Sequence, residues 1–351
     1  MNKPHNIYVH VPFCVKKCNY CAFFSRACVN INWDDYKDKI VAEIRYFGKK
    51  LGKITVPTIF FGGGTPSMMP SKTFAAIMSE LERNFNLQND TEITVESNPK
   101  TLDSTKLNEF CTIGMNRLSI GVQSFDDEKL KFLGRIHSAD DAMNLVENAL
   151  RCKIRVSCDF IYGLPGENVK DVIRMCDQIN NLGITHCSMY ELTIEPNTPF
   201  AKMNLNMPDN DTMTEMYTVI GDKLHLPRYE VSNYAAIGDE CHHNQNIWDG
   251  EPYIGIGPGA AVRVFIENKW YEQLGNGKLF REMTDHDRAI ERIITGMRTM
   301  RGVRLDFDVE KILNLEFAKS HSDMIMFHDD RIAATDAGIL VLENLIENLV
   351  K

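Results

Sequence analysis

Three cysteines, Cys14, Cys18 and Cys21, fall within the stretch VPFCVKKCNYCAFF near the start of the chain. Three thiols on one short loop can serve one metal centre. Structural zinc sites take four ligands in paired CxxC spacings, and no second CxxC is present. Thioredoxin-like redox chemistry would use Cys18 and Cys21 and leave Cys14 idle. A 4Fe-4S cluster normally takes four thiolates, so three would leave one iron open to a non-protein ligand. The run GGGTPS (62–67) is the second candidate. It is neither a Walker loop nor a GxGxxG fingerprint. Bare glycine backbone admits a ligand closely, although the same run could be a turn capped by Ser67 or Ser71. Glu96, Gln123, Arg135 and Asp159 form a polar set beside apolar runs. A buried carboxylate needs a partner or a ligand, so Glu96 and Arg135 either pair with each other or face a bound molecule. Tyr8 and Tyr20 flank the cysteines, where they either meet that molecule or pack in the core.

These residues need positioning elements. Short β-rich runs recur at 7–11, 58–61, 92–96, 117–121, 155–161 and 186–192. Several are nearly continuous in apolar character, as strands buried on both faces are. An amphipathic helical stretch follows each, so the rhythm is strand then helix, six times. That rhythm predicts parallel strands with right-handed crossovers, in a barrel or an open wound sheet. The cysteines follow strand one, and GGGTPS follows strand two. Strands three to six end in ESNP, GVQSF, DFIYGLPGE and YELTIEPNTP. One rim gathers all the unusual chemistry, as the carboxyl ends of barrel strands do.

The 351 residues carry 44% hydrophobic and 25% charged positions and a net charge of −9. That balance is globular and offers no basic field for nucleic acid. No apolar run reaches spanning length, and no signal-peptide pattern opens the chain, so a cytoplasmic address is expected. In a reducing compartment the ten cysteines should not form a disulfide framework. Cys111, Cys152, Cys158, Cys176 and Cys187 read as buried small hydrophobes, and Cys28 as structural or incidental. The texture changes near residue 229, where CHHNQNIWDGEPYIGIGPGA begins a Gly-, His- and aromatic-rich stretch. From about 284 the chain is helical and charged. A boundary between 1–228 and a second α+β unit at 229–351, covering the barrel mouth, is expected.

On the CxxxCxxC loop after strand one, the chain resembles the radical S-adenosylmethionine (SAM) superfamily. YVHVPFCVKKCNYCAFF, GGGTPS, ESNPKT, RLSIGVQSFDDEKLKFLGRIHS, DFIYGLPGE and SMYELTIEPNTPF together resemble its coproporphyrinogen III dehydrogenase (HemN)-like branch, over nearly the whole chain. The resemblance implies a partial (β/α)6 barrel and a 4Fe-4S cluster on Cys14, Cys18 and Cys21. It also implies SAM chelating the open iron and cleaved to a 5′-deoxyadenosyl radical when the cluster is reduced. Gly63, Gly64 and Thr65 then correspond to the segment that binds the SAM amino group. Tyr8, Tyr20, Glu96, Gln123, Arg135 and Asp159 are candidates around SAM, with Arg135 on its carboxylate. The dehydrogenases of this branch keep a fourth cysteine two residues after the third. Phe23 stands there, as in the heme chaperones of the HemW kind, which carry HNxxYW downstream. Here HNQNIW matches at His243, Asn244 and Trp248 and departs at Ile247. These three are the heme candidates, with His243 the candidate iron ligand. The resemblance implies a heme chaperone acting on acceptor hemoproteins, such as membrane-bound respiratory enzymes that would bring it to the membrane. An electron donor such as flavodoxin or ferredoxin is implied too, and a homodimer stays open. A coproporphyrinogen III dehydrogenase, a heme methyltransferase and a heme-degrading enzyme are the alternatives.

Overall fold

A computed structural model describes residues 3–273 and 280–351. All six expected strands form: β1 Asn6–Val11, β2 Thr55–Gly63, β3 Asn86–Ser97, β4 Arg117–Gln123, β5 Arg155–Tyr162 and β6 His186–Glu191. They pair in parallel, in chain order. The helices between them are α1 Trp33–Leu51, α2 Ser71–Asn84, α3 Ser104–Ile113, α4 Asp127–Leu133, α5 Ala139–Arg151, α6 Val169–Asn180 and α7 Asn210–Lys223. Most are capped by their own sequence: Asn32, Asp103, Asp126 and Asp209 accept from first-turn amides, and Ser138–Asp141 and Asn168–Asp171 form capping boxes. Helix α4 is an addition to the expected set.

The sheet does not end at residue 228. Two short strands, β7 Arg228–Glu230 and β8 Asn233–Ala235, extend it antiparallel beyond β6. Across the sheet β9 Tyr253–Ile256 lies parallel to β1, and β10 Val262–Ile266, β11 Lys269–Gln273 and β12 Arg281–Met283 continue it antiparallel. The full order is β12-β11-β10-β9-β1-β2-β3-β4-β5-β6-β8-β7, an open partial barrel with seven parallel strands. The expected boundary at 228 therefore falls within the sheet. The apolar core says the same: Ile254, Ile256, Val262 and Val264 belong to the barrel core, whereas a separate core runs from Ala289 to Leu349.

The strands are not apolar on both faces. One face of each, such as Ile7, Val9, Ile59, Phe61, Leu118 and Cys158, packs under the helices. The other carries buried Thr58, Glu92, Arg117, Ser157, His186 and Ser188. Alternation at period two separates these faces, so the lumen is polar.

Candidate functional site

At the carboxyl rim a cavity of about 420 Å³ is lined by Cys14, Cys18, Cys21, Tyr20, Gly63, Gly64, Thr65, Glu96, Gln123, Arg135 and Asp159. Eleven of the sequence candidates are thus brought together. Two backbone devices hold the cysteine loop. Phe13–Cys14 pairs with Arg26–Ala27, and Cys28 N–H donates to the Cys14 carbonyl at 2.9 Å. On the far side Asn19 donates from its backbone to Leu133 (3.0 Å) and from its side chain to Phe132 (2.7 Å). Those carbonyls would otherwise be orphaned at the end of α4. Gly134 closes that helix at φ 79°, a left-handed position suited to glycine, and delivers Arg135 to the cavity. Sequence reasoning missed Asn19, because its partners lie more than a hundred residues away.

Arg135 donates through Nη2 to the Gly121 carbonyl (2.6 Å) and through Nη1 to the Cys18 sulfur (3.5 Å), while its buried Nε–H has no partner among the described residues. Glu96 accepts the Gly63 N–H at 3.0 Å. The pair Glu96–Arg135 weighed above is therefore not formed, and each group faces the cavity on its own. Asp159 accepts from Ser119 at 3.1 Å, with Ser188 beside it. Burial, and then the nearby Asp159 charge, push the Glu96 carboxyl up to about 7, and burial also raises Asp159. Gln123 sits at φ 67° where the β4–β5 register shifts. Such a left-handed position is costly for a residue with a side chain and clusters at functional sites. Tyr20 is wedged beside Cys18 and Arg135, and burial raises its phenol.

Tyr8 lies beside Glu96 but does not line the cavity itself. Its O–H donates to His10 Nδ1 (3.1 Å), and His10 Nε2–H donates to the Phe24 carbonyl (2.8 Å). The carbonyl can only accept, which fixes the histidine tautomer. Tyr8 is thus a positioning residue for the exit of the cysteine loop.

His243, Asn244 and Trp248 are placed elsewhere, on α8 His242–Trp248. This helix plugs the barrel end remote from the cysteines: His242 and His243 N–H donate to Glu92 (3.2 and 2.9 Å), and Asn246 donates to Asn6 (2.9 Å). Glu92 precedes Glu96 by four residues, about 13 Å along the strand. His243 is only 2% exposed. Thr58 donates to Asn6 (2.8 Å) and so accepts from His243 Nδ1 (2.7 Å), which leaves Nε2 unprotonated and without a partner among the described residues. Burial lowers this imidazole to about 4. Its state suits a ligand, yet a porphyrin has no access to it in this packing. Trp248 lines a different cavity with Trp270 and Arg288, and Asn244 is half-buried on α8. Of the unit expected to cover the barrel mouth, α8 lies at the opposite end of the barrel. Among the single cysteines, Cys158, Cys176 and Cys187 are buried as expected, but Cys111 and Cys152 are half-exposed neighbours.

The donors fit an iron–sulfur cluster with a small ligand. All three thiols are free. Among the described residues no three His, Cys, Asp or Glu side chains gather tightly enough to share one ion. A cubane cluster does not require that, since each thiolate sits on its own iron. Beside the thiols the cavity offers carboxylates, a guanidinium with a spare donor and backbone carbonyls.

Comparison with known proteins agrees with this arrangement. Residues 8–179 match the model of the radical SAM superfamily. The heme chaperone HemW of Buchnera aphidicola subsp. Schizaphis graminum is 36% identical over 78% of this chain and 77% of its own. The heme chaperone HemW of Escherichia coli K12 is 37% identical over 74% of this chain and 70% of its own. The solved coproporphyrinogen III oxidase (HemN) of Escherichia coli superposes with a TM-score of 0.81 at 20% identity, covering 99% of this chain and 90% of that one. At that identity the match speaks to the fold.

Proposed function

The chain belongs to the radical SAM superfamily and, within it, to the heme chaperone HemW family; from that premise we propose that it binds heme and transfers it to heme-dependent acceptor proteins. The observation that carries this reading is the 36–37% identity to named heme chaperones over most of both chains. Phe23, at the position where the dehydrogenases resembled above keep a cysteine, points the same way. Membership of the superfamily implies a 4Fe-4S cluster and SAM. We assign Cys14, Cys18 and Cys21 as the thiolate ligands. When bound, cluster and SAM together supply one-electron reductive chemistry at the sulfonium. Around them the chain's own residues bind and orient. Glu96 and the backbone at 63–65 would accept from the SAM amino group, and Arg135 would fork onto its carboxylate. Asp159, with Gln123 nearby, accepts from the ribose hydroxyls. Tyr20 packs against Cys18, and Tyr8 acts through His10.

The acceptors are heme enzymes such as membrane-bound respiratory proteins, and the cluster is reduced by a flavodoxin- or ferredoxin-like donor. No helix among the described residues is long and apolar enough to cross a membrane. The test is to incubate reconstituted, reduced protein with SAM and coproporphyrinogen III, and separately with heme and an apo-acceptor. Stoichiometric heme retention followed by loading of the acceptor is expected. Formation of protoporphyrinogen IX would instead make the chain an oxidative decarboxylase.

A further inference from the structure

Outside the cluster cavity an opening of about 700 Å³ lies against the outer side of the cysteine loop, between that loop and α1. It is the size of a small-molecule site. Phe13, Phe23, Phe24, Ile31 and Ile40 give it an apolar wall, and Lys17, Arg26 and Lys39 stand around it with the carboxylates Asp35 and Glu43. Phe23 and Phe24 stand 67% and 59% exposed, large rings that soluble proteins rarely leave in water side by side. Phe24 is held from behind, since its carbonyl accepts from His10. Arg26 lies over the Phe13 ring at 5.2 Å and meets no carboxylate within 4.0 Å among the described residues. Lys39 faces the same opening from α1, in an exposed ion pair with Asp35 at 2.8 Å, the weak surface kind that a ligand carboxylate can compete with. Cys28 lines it too, half-exposed, with a single weak contact from its sulfur to the Asn30 carbonyl at 3.6 Å. Cys28 is off the cluster spacing, and the cluster reading leaves it without a task.

We propose that this groove is where the porphyrin docks, with Cys28 as an axial ligand of the heme iron, the Phe23 and Phe24 rings as its apolar wall, and Arg26 and Lys39 on its propionates. The proposal rests on the heme-chaperone reading and deepens it. The ligand chemistry matches on three counts. A flat apolar macrocycle wants aromatic walls. Two carboxylates want cations, and Arg26 is a free one. Ferric iron accepts a thiolate, with the thiol proton released to water on binding. Lys17, Ala22 and Phe23 line the cluster cavity as well, so this stretch of the cysteine loop borders both openings. A porphyrin against Phe23 would therefore sense whether SAM fills the far side. His243 offers no such opening, because α8 would have to leave Glu92 and Asn6 before a porphyrin reached it.

The experiment titrates ferric heme into the full chain carrying its reconstituted cluster. It compares wild type with Cys28→Ser, Arg26→Glu/Lys39→Glu and His243→Ala, reading affinity by retained heme and ligation by electron paramagnetic resonance. Iron and sulfide content is assayed in each. The expected result is loss of a thiolate-type signal in Cys28→Ser and at least about tenfold weaker binding in the charge-reversed variant. If Cys28→Ser loses its cluster, the exposed Arg26→Glu/Lys39→Glu pair carries the test. Wild-type affinity in both groove variants, with loss in His243→Ala, overturns the groove and leaves the chaperone reading standing. Retained heme with slowed cluster reduction by flavodoxin would assign this face to an electron donor and also overturn it. A wild-type chain that retains no heme removes both readings.

Discussion

Replacing Glu96 by Gln tests the electrostatics of the rim directly. Glu96 faces Asp159 from β5, Arg117 from β4, the Gly63 amide from β2, and the Tyr8 and Tyr190 phenols from β1 and β6. Burial and Asp159 outweigh the amide and Arg117, and the carboxyl rises from 4.5 to about 7. The folded chain thus holds a proton that the unfolded chain releases near 4.5. Stability contributed by that proton is fully present below pH 4.5 and is lost as pH rises through 7. At 1.36 kcal/mol per pH unit, ionised Glu96 costs the folded chain about 3 kcal/mol at pH 8. Glutamine keeps an acceptor for Gly63 and carries no charge. Urea unfolding of Glu96→Gln should therefore show a chain about 3 kcal/mol more stable than wild type at pH 8, with the gap closing toward pH 5. SAM binding should run the other way, because its amino N–H groups donate to the ionised carboxylate. Wild-type affinity should fall about tenfold from pH 8 to pH 6, as the ionised fraction drops from about 0.9 to about 0.1, and Glu96→Gln should flatten that slope. A stability gap that stays constant from pH 5 to 8 would refute the reasoning, since it would mean that Glu96 titrates as an ordinary surface carboxylate.

Three further outcomes follow from the geometry. Cys14→Ala, Cys18→Ala and Cys21→Ala should each lose the roughly 400 nm iron–thiolate absorbance and the matching iron and sulfide, as assayed after reconstitution. Gly64→Ala should lower cluster incorporation while far-ultraviolet circular dichroism stays native, because a Cβ there meets the Phe13 carbonyl at 2.6 Å and displaces the backbone leading into Cys14. Glu92→Ala should cost about 1–3 kcal/mol in chemical unfolding: it removes the 2.6 Å partner of Arg155, which keeps Asp239 at 3.1 Å, and leaves the two α8 amides that Glu92 accepts without their acceptor.

Much of this architecture is legible in the chain, and the limit of legibility has a physical form. Strands announce themselves by β-branched runs, and the residues at their ends by being out of place there. That is why Cys14, Gly63, Glu96 and Asp159 could be assigned to one rim from order alone. Which side of a strand faces the helices is harder to read. Ile59, Phe61, Val95 and Ile120 dominate the impression of each run, and the inward Thr58, Glu92, Arg117 and Ser157 pass as interruptions. Their partners lie on other strands or on α8. Glu92 meets the His243 amide across 151 positions, and nothing local signals that contact. The same limit explains the boundary at 228. The glycine-rich YIGIGPGA looks like loop material because the cue for a strand is apolar bulk. Yet Gly255 pairs with Tyr8 of β1 and Gly257 directly follows β9, and a side chain would collide with the Ala261 carbonyl at the first and with the His10 carbonyl at the second.

The placement of α8 sharpens what the HN motif means for this chain. In a helix that plugs the barrel, a histidine and an asparagine side by side need no ligand to explain them. The first helical amides need an acceptor, Glu92 supplies it, and His243 Nδ1 needs Thr58. What packing leaves unexplained is narrower: one unprotonated Nε2, buried between the Tyr8 and Phe60 rings. A neutral imidazole poised in this way is costly to keep without a partner. Tyr8 connects it to the rim, since its ring lies 6.5 Å from His243 while its hydroxyl holds His10, and His10 holds Phe24. The plug and the proposed porphyrin groove are thus joined by four side chains in contact, so a shift at either end has a physical route to the cluster loop between them.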